Sequence, residues 1–104
     1  MKYLIKEDRL INLIDTYLED TVGRLRVRPY DSINAREGDF TLVDTNDNTI
    51  FRYHDYELGL HEELFIKMLA LFNMNAKELS NIIIDWFNSQ FPASLVLTIY
   101  PIID

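Results

Sequence analysis

The chain has no cysteine, which excludes thiol catalysis, cysteine-ligated metal and a disulfide framework. Glycine and proline are scarce, at three each, so neither a glycine-rich phosphate loop nor a low-complexity linker can be drawn. Positive charge is in deficit. Ten Lys and Arg face 17 Asp and Glu, for a formal net charge of -7, a balance that repels nucleic acid and anionic lipid at long range. No apolar run approaches the length that spans a bilayer, and the opening MKYLIKEDRL meets acidic residues too early for a secretory leader. These absences point to the cytoplasm or a soluble assembly, with no membrane partner and no cofactor implied.

What the chain does contain is apolar patterning. Hydrophobic residues make up 48% of its 104 positions, enough for a packed core and short of what two domains need. The chain reads as a single domain over residues 1–104. The strongest pattern runs from Leu60 to Phe91. Leu60, Leu64, Phe65, Met68, Leu69 and Phe72 recur at helical spacing, then Leu79, Ile82, Ile83, Trp86 and Phe87 do so again. The turn between them is chemically explicit: Asn75 and Glu78 have capping-box spacing, and Met74 with Leu79 has that of a hydrophobic staple. Trp86, Phe87 and Phe91 read as core anchors.

Before that pair, residues 6–19 carry a broad apolar face of Leu10, Ile11, Leu13, Ile14, Tyr17 and Leu18, with Glu7 and Asp8 in the first turn. Residues 1–5 read as a short strand or a lead into the helix; Asp20, Thr21 and Gly23 mark its exit. The period then changes to two. In residues 24–30, Leu25 and Val27 oppose Arg24, Arg26 and Arg28, predicting a half-buried strand that Pro29 ends or places at an edge. A polar loop over 31–38 follows, its 36–39 portion the expected mobile segment. Residues 39–43 and 49–56 read as a hairpin around Asp44-Thr45-Asn46-Asp47-Asn48, and 57–59 as a hinge into the helices. The run 95–100, apolar on both faces, suits a central or covered strand. The expectation is an α+β domain in the order α-β-β-β-α-α-β. A small, mainly antiparallel sheet of three to four strands would pack against an N-terminal helix and a helical hairpin.

Several constellations invite chemistry. The helical pair has the outline of a DNA-reading motif, but its second helix offers Lys77 against Glu78 and Asp85 and no arginine, so a hairpin packed on the sheet is the better reading. Arg24, Arg26 and Arg28, joined by Arg52 if the strand register permits, form the one cationic cluster. They make a candidate anion patch, with Tyr30, Tyr53 and Tyr100 available for stacking. The residues from Asp44 to Asn48 resemble the start of a calcium loop with Asp55 at its twelfth position, yet Thr49 stands where glycine is needed. No metal site is assigned. His54 and His61, the two histidines, lie near Asp55, Glu57, Glu62 and Glu63; His54 reads as a strand-face residue and His61 as a helix cap. Serines 32, 80, 89 and 94 lie in no nucleophile elbow. No catalytic residue is assigned, and the chain is expected not to be an enzyme.

The opening MKYLIKEDRLINLIDTYLED, with its MKxxIxExxLxxLIxxYL pattern, resembles the start of many small uncharacterised proteins of tailed bacteriophages. The stretch LFNMNAKELSNIIIDWFNSQFP is similar to the helical hairpin such proteins carry near their end. The resemblance implies a phage or bacterial origin, hence a host-cell cytoplasm, and brings no activity and no site residue with it. The leading expectation is a non-enzymatic accessory or structural protein working through protein–protein contact, with a separate partner or a second copy. The alternative is nucleic-acid or anion binding through the arginine-bearing strand. A third reading, an acidic mimic of nucleic acid, requires one dense acidic face, whereas the carboxylates are scattered along the chain.

Overall fold

The structure, a computed structural model, describes residues 2–29 and 33–103. Helix α1 runs over Lys2–Gly23, followed by strands β1 (Arg26–Pro29), β2 (Phe40–Val43), β3 (Thr49–His54) and β4 (Glu57–His61). Helices α2 (Glu62–Phe72) and α3 (Ala76–Gln90) then lead to β5 (Thr98–Ile102). The strands form one five-stranded sheet in the order β1-β2-β3-β4-β5. Its first three pairings are antiparallel, and β4 with β5 is parallel, the α2–α3 hairpin supplying the long crossover that a parallel pair requires.

The α+β class, the N-terminal helix and the helical hairpin match the sequence reading; the sheet corrects it. Glu57–Gly59, read as a hinge, begins a strand, and Leu60 belongs to that strand rather than to the helix. The β3–β4 turn is Asp55-Tyr56, and both residues adopt positive φ, 50° and 67°. That is the backbone of a two-residue hairpin turn without the Asn-Gly or Asp-Gly that normally announces it. The strand also shows no alternation, because Leu58, Gly59 and Leu60 are all buried. At the N-terminus α1 starts at Lys2, so residues 2–5 are helical and Glu7 and Asp8 fall beyond the first turn.

The last strand is displaced as well. It begins at Thr98, leaving Leu95 and Leu97 exposed in the connection from α3, and it lies at the sheet edge rather than at its centre. Pro101 explains how this edge is kept. The Thr98 N–H donates to the Tyr56 carbonyl, so by alternation Tyr100 and Ile102 also turn their backbone groups towards β4. Pro101 therefore stands where its missing N–H would face the free side. The opposite edge strand, β1, carries Pro29. A proline on each edge removes a donor from an otherwise open ladder.

The core joins one sheet face to all three helices. Leu42, Phe51 and Leu60 lie across from one another on β2, β3 and β4, and all three are buried. Against them pack Met68 of α2, Leu79, Ile83 and Phe87 of α3, and Ile14 and Leu18 of α1. Fully burying each such side chain contributes roughly 1.5–3 kcal/mol. Ring pairs tie the layers together: Phe51 meets Phe87 at 4.9 Å between centroids, and Tyr17 meets Phe72 edge-on at 5.7 Å. The α2–α3 turn forms as its residues dictate. Asn73 closes α2 in the left-handed region, Asn75 Oδ1 accepts from the Glu78 N–H at 2.9 Å, and Leu79 is buried beside the partly buried Met74.

Candidate functional site

The structure brings together some of the arginines read as an anion patch and separates one. Arg24 lies outside the strand, at the exit of α1, where it pairs with Asp20 at 3.0 Å one helical turn back; it is removed from the cluster. Arg26 and Arg28 lie on β1 and share one carboxylate, Asp47 at the β2–β3 loop, with Arg26 in direct contact and Arg28 at 3.9 Å. Arg52 lies on β3, and the register links it to β1: Arg28 pairs with Thr41, and Thr41 with Arg52. The same row continues through Gly59 to Tyr100. Directly paired residues share a face, so Arg28, Thr41, Arg52, Gly59 and Tyr100 all lie opposite the core. Among the described residues Arg52 has no ion pair. Of the three tyrosines considered for stacking, Tyr53 is buried with its hydroxyl donating to the Leu95 carbonyl at 2.7 Å, Tyr30 lies outside the described residues, and Tyr100 is on the row.

The Asp44–Asn48 loop spends its oxygens on itself. The Asp44 carboxylate accepts from the Asn46 N–H at 2.8 Å, the Asn48 N–H at 3.0 Å and the Asn48 side chain at 3.3 Å. The Asn48 backbone bond, the largest influence, and these partners hold the Asp44 pKa below its ordinary value. Asp55, at the twelfth position of the loop resemblance, instead belongs to the β3–β4 turn and pairs with Arg36 at 3.2 Å. Among the described residues no group of three or more His, Cys, Asp or Glu converges as a metal site would require.

Sequence reasoning missed the pair of His54 and Asp39. The histidine Nδ1 lies 2.5 Å from the Asp39 carboxylate, which is almost wholly buried and also accepts from the Arg36 N–H at 2.8 Å. Burial pushes the Asp39 pKa up, but the Arg36 N–H, His54 and the Asp55 backbone together outweigh it and leave the value lowered. The segment 36–39, expected to be mobile, is thereby pinned: Asp39 N–H donates back to the Arg36 carbonyl, and Ser94 Oγ donates to the Gly38 carbonyl at 2.6 Å. His54 was considered with Asp55 and Glu57, its neighbours in sequence; its partner comes from β2's entry, fifteen residues away. His61 caps α2 by accepting from the Glu63 N–H at 3.3 Å.

Two of the concavities among the described residues involve the helices α1 and α3 or the β5 edge. Between α1 and α3, Asp15, Glu19 and Asp85 line a shallow cleft, and burial, then the Asp85 charge, raise the Asp15 pKa. The larger feature is a groove of about 370 Å3 between α2, α3 and the β5 edge. Phe65, Ile66, Ala76, Ile99, Pro101 and Ile103 make it apolar, with Glu62 and Ser80 its polar fringe and Tyr100 at its border. Ile66 is 54% exposed and Ile103 72%, so the apolar lining reaches solvent. Of these residues, Phe65 belongs to the helical apolar repeat and Ile99 to the 95–100 run; Ile66, Ala76, Pro101 and Ile103 lie outside the core pattern read from the sequence. No helix among the described residues is long and apolar enough to cross a membrane. No family model, curated protein or solved structure matches this chain.

Proposed function

We propose that this chain is a small non-enzymatic accessory or structural protein, of phage or bacterial origin, that binds another protein through the groove between α2, α3 and β5. The observation that carries the reading is an apolar concavity with exposed isoleucines on its rim, the kind of surface that marks an interaction site. Its occupant is a partner segment with apolar anchors and flanking Lys or Arg, since Glu62 borders the groove and the whole molecule is acidic. Pro101 disfavours a strand added along β5, so the segment inserts side chains rather than extending the sheet. One buried anchor contributes roughly 1.5–3 kcal/mol, well short of the ~8 kcal/mol of a micromolar complex. The rim residues Ile66 and Ile103 must therefore take part.

The test is selection from a random peptide library against the wild type and an Ile66→Glu, Ile103→Glu double variant, with light scattering on both. Peptides with apolar anchors and basic flanks should be enriched and should not bind the variant. Peptides indifferent to the substitution overturn the reading. A wild-type dimer that the variant dissolves replaces the foreign segment with a second copy.

A further inference from the structure

The helix-free row of the sheet presents a different chemistry from the groove. Arg28, Thr41, Arg52, Gly59 and Tyr100 are consecutive cross-strand neighbours, so cation, small residue, cation, small residue and aromatic alternate across all five strands. Strands lie about 4.8 Å apart, which places the Arg28 and Arg52 backbones roughly 10 Å apart, while the Tyr100 ring lies over Gly59, on the strand next to Arg52. Thr41 keeps the surface between the two arginines low, and Gly59 leaves room for the Tyr100 ring. Gly59 does so of necessity, because the Tyr100 ring and Ile102 lie over its Cα.

Charge on this face departs from that of the molecule. Carboxylates on or beside these strands include Asp47, contacted by Arg26 and Arg28; Asp39, engaged by His54; and Glu57, across the ladder from His54 and Thr98. Arg52 has no ion pair among the described residues, and Arg28 has only the 3.9 Å approach of Asp47. A planar guanidinium on a sheet matches phosphate, and an aromatic ring in line with it offers a stacking surface for a base. An acidic peptide would use the arginines and leave the tyrosine without a role.

We propose that this row is a binding site for single-stranded nucleic acid, with Arg52, Arg28 and Arg26 taking successive phosphates and Tyr100 stacking a base. Asp47 acts as a built-in competitor, a carboxylate that occupies the Arg26–Arg28 pair until a phosphate displaces it. The site does not depend on the groove reading, although Tyr100 borders both. The net charge of -7 makes the interaction weak and strongly salt-dependent rather than impossible.

The experiment measures fluorescence anisotropy of labelled oligothymidylate, with inorganic phosphate, heparin and polyglutamate as competitors, across a salt series. Three phosphate contacts on a single strand give a slope of log K against log salt of about -2, from ~0.7 per contact. Asp47→Asn should tighten binding. Arg28→Gln and Arg52→Gln should each weaken it by about tenfold and reduce the slope by ~0.7, with unchanged circular dichroism. Tyr100→Leu should weaken oligothymidylate by about fivefold or more while leaving competition by inorganic phosphate unaltered. Ile66→Glu should change nothing here. Binding indifferent to both arginine substitutions overturns the proposal. So does polyglutamate competing as well as unlabelled oligothymidylate, which would assign the face to an acidic protein partner.

Discussion

Gly59 lies directly across the β4–β5 ladder from Tyr100, and the tyrosine ring occupies the space a side chain at position 59 would need. A Cβ there would stand 2.7 Å from the Tyr100 Cζ, 2.8 Å from its hydroxyl oxygen and 2.9 Å from Ile102 Cγ1. Gly59→Ala should therefore destabilise the fold by about 1–3 kcal/mol, the usual penalty of overpacking. Combining it with Tyr100→Ala should recover part of that loss. Urea unfolding of the two single variants and the double variant checks this through the sign of the coupling.

Asp39 ties the entry of β2 to His54, and its lowered pKa makes the tie pH-dependent. A carboxylate with a folded pKa below its unfolded value contributes stability that is present above the unfolded pKa. That stability is lost as pH falls through the folded value, below the ordinary 3.8. Wild-type stability should decline across this acid window, and Asp39→Asn should flatten the decline. At neutral pH the same substitution should cost about 1–3 kcal/mol, through loss of a charge-assisted hydrogen bond in a buried place. Denaturant unfolding at pH 7, 4 and 3 measures both effects.

Tyr56 holds φ at 67° in the β3–β4 turn while its carbonyl accepts from the N–H groups of Leu97 and Thr98. A left-handed conformation costs a non-glycine residue about 1–2 kcal/mol. Glycine removes that cost, keeps the carbonyl and adds unfolded-state entropy. The side chain is half exposed. Tyr56→Gly should thus stabilise the fold by up to about 1 kcal/mol, seen as a raised urea midpoint with an unchanged slope.

Pro101 faces the open side of β5 between Ile99 and Ile103. Pro101→Val restores a donor at the centre of an apolar edge, so the variant should self-associate through that edge. Light scattering against protein concentration should show a dimer or larger species in the variant at concentrations where the wild type does not gain mass. Equal masses for the two proteins would mean that proline is not what protects the edge.

The helical hairpin was legible because its information is local. Asn75, Glu78, Met74 and Leu79 meet within one turn, and the apolar repeat of α3 places Leu79, Ile83, Trp86 and Phe87 on its buried face. The β2–β3 hairpin was legible for the same reason, through alternation and the Asp44–Asn48 loop. Strand β4 was not, because its turn is made by Asp55 and Tyr56 in conformations those residues rarely adopt, and burial of Leu58, Gly59 and Leu60 together erases its period.

By itself the sequence determined the class of the domain, its capped helices, one hairpin and the absence of thiol chemistry, all of which follow from neighbours along the chain. Tertiary structure decided what touches across it: the parallel docking of β5 beside β4, the groove beneath α2 and α3, and the His54–Asp39 pair. It also decided which arginines share a face, separating Arg24 from Arg26 and Arg28 and joining Arg28 to Arg52 and Tyr100. The physical reason is register. A strand carries its own alternation, but which strand lies beside it, and at what offset, depends on how the whole apolar surface is buried.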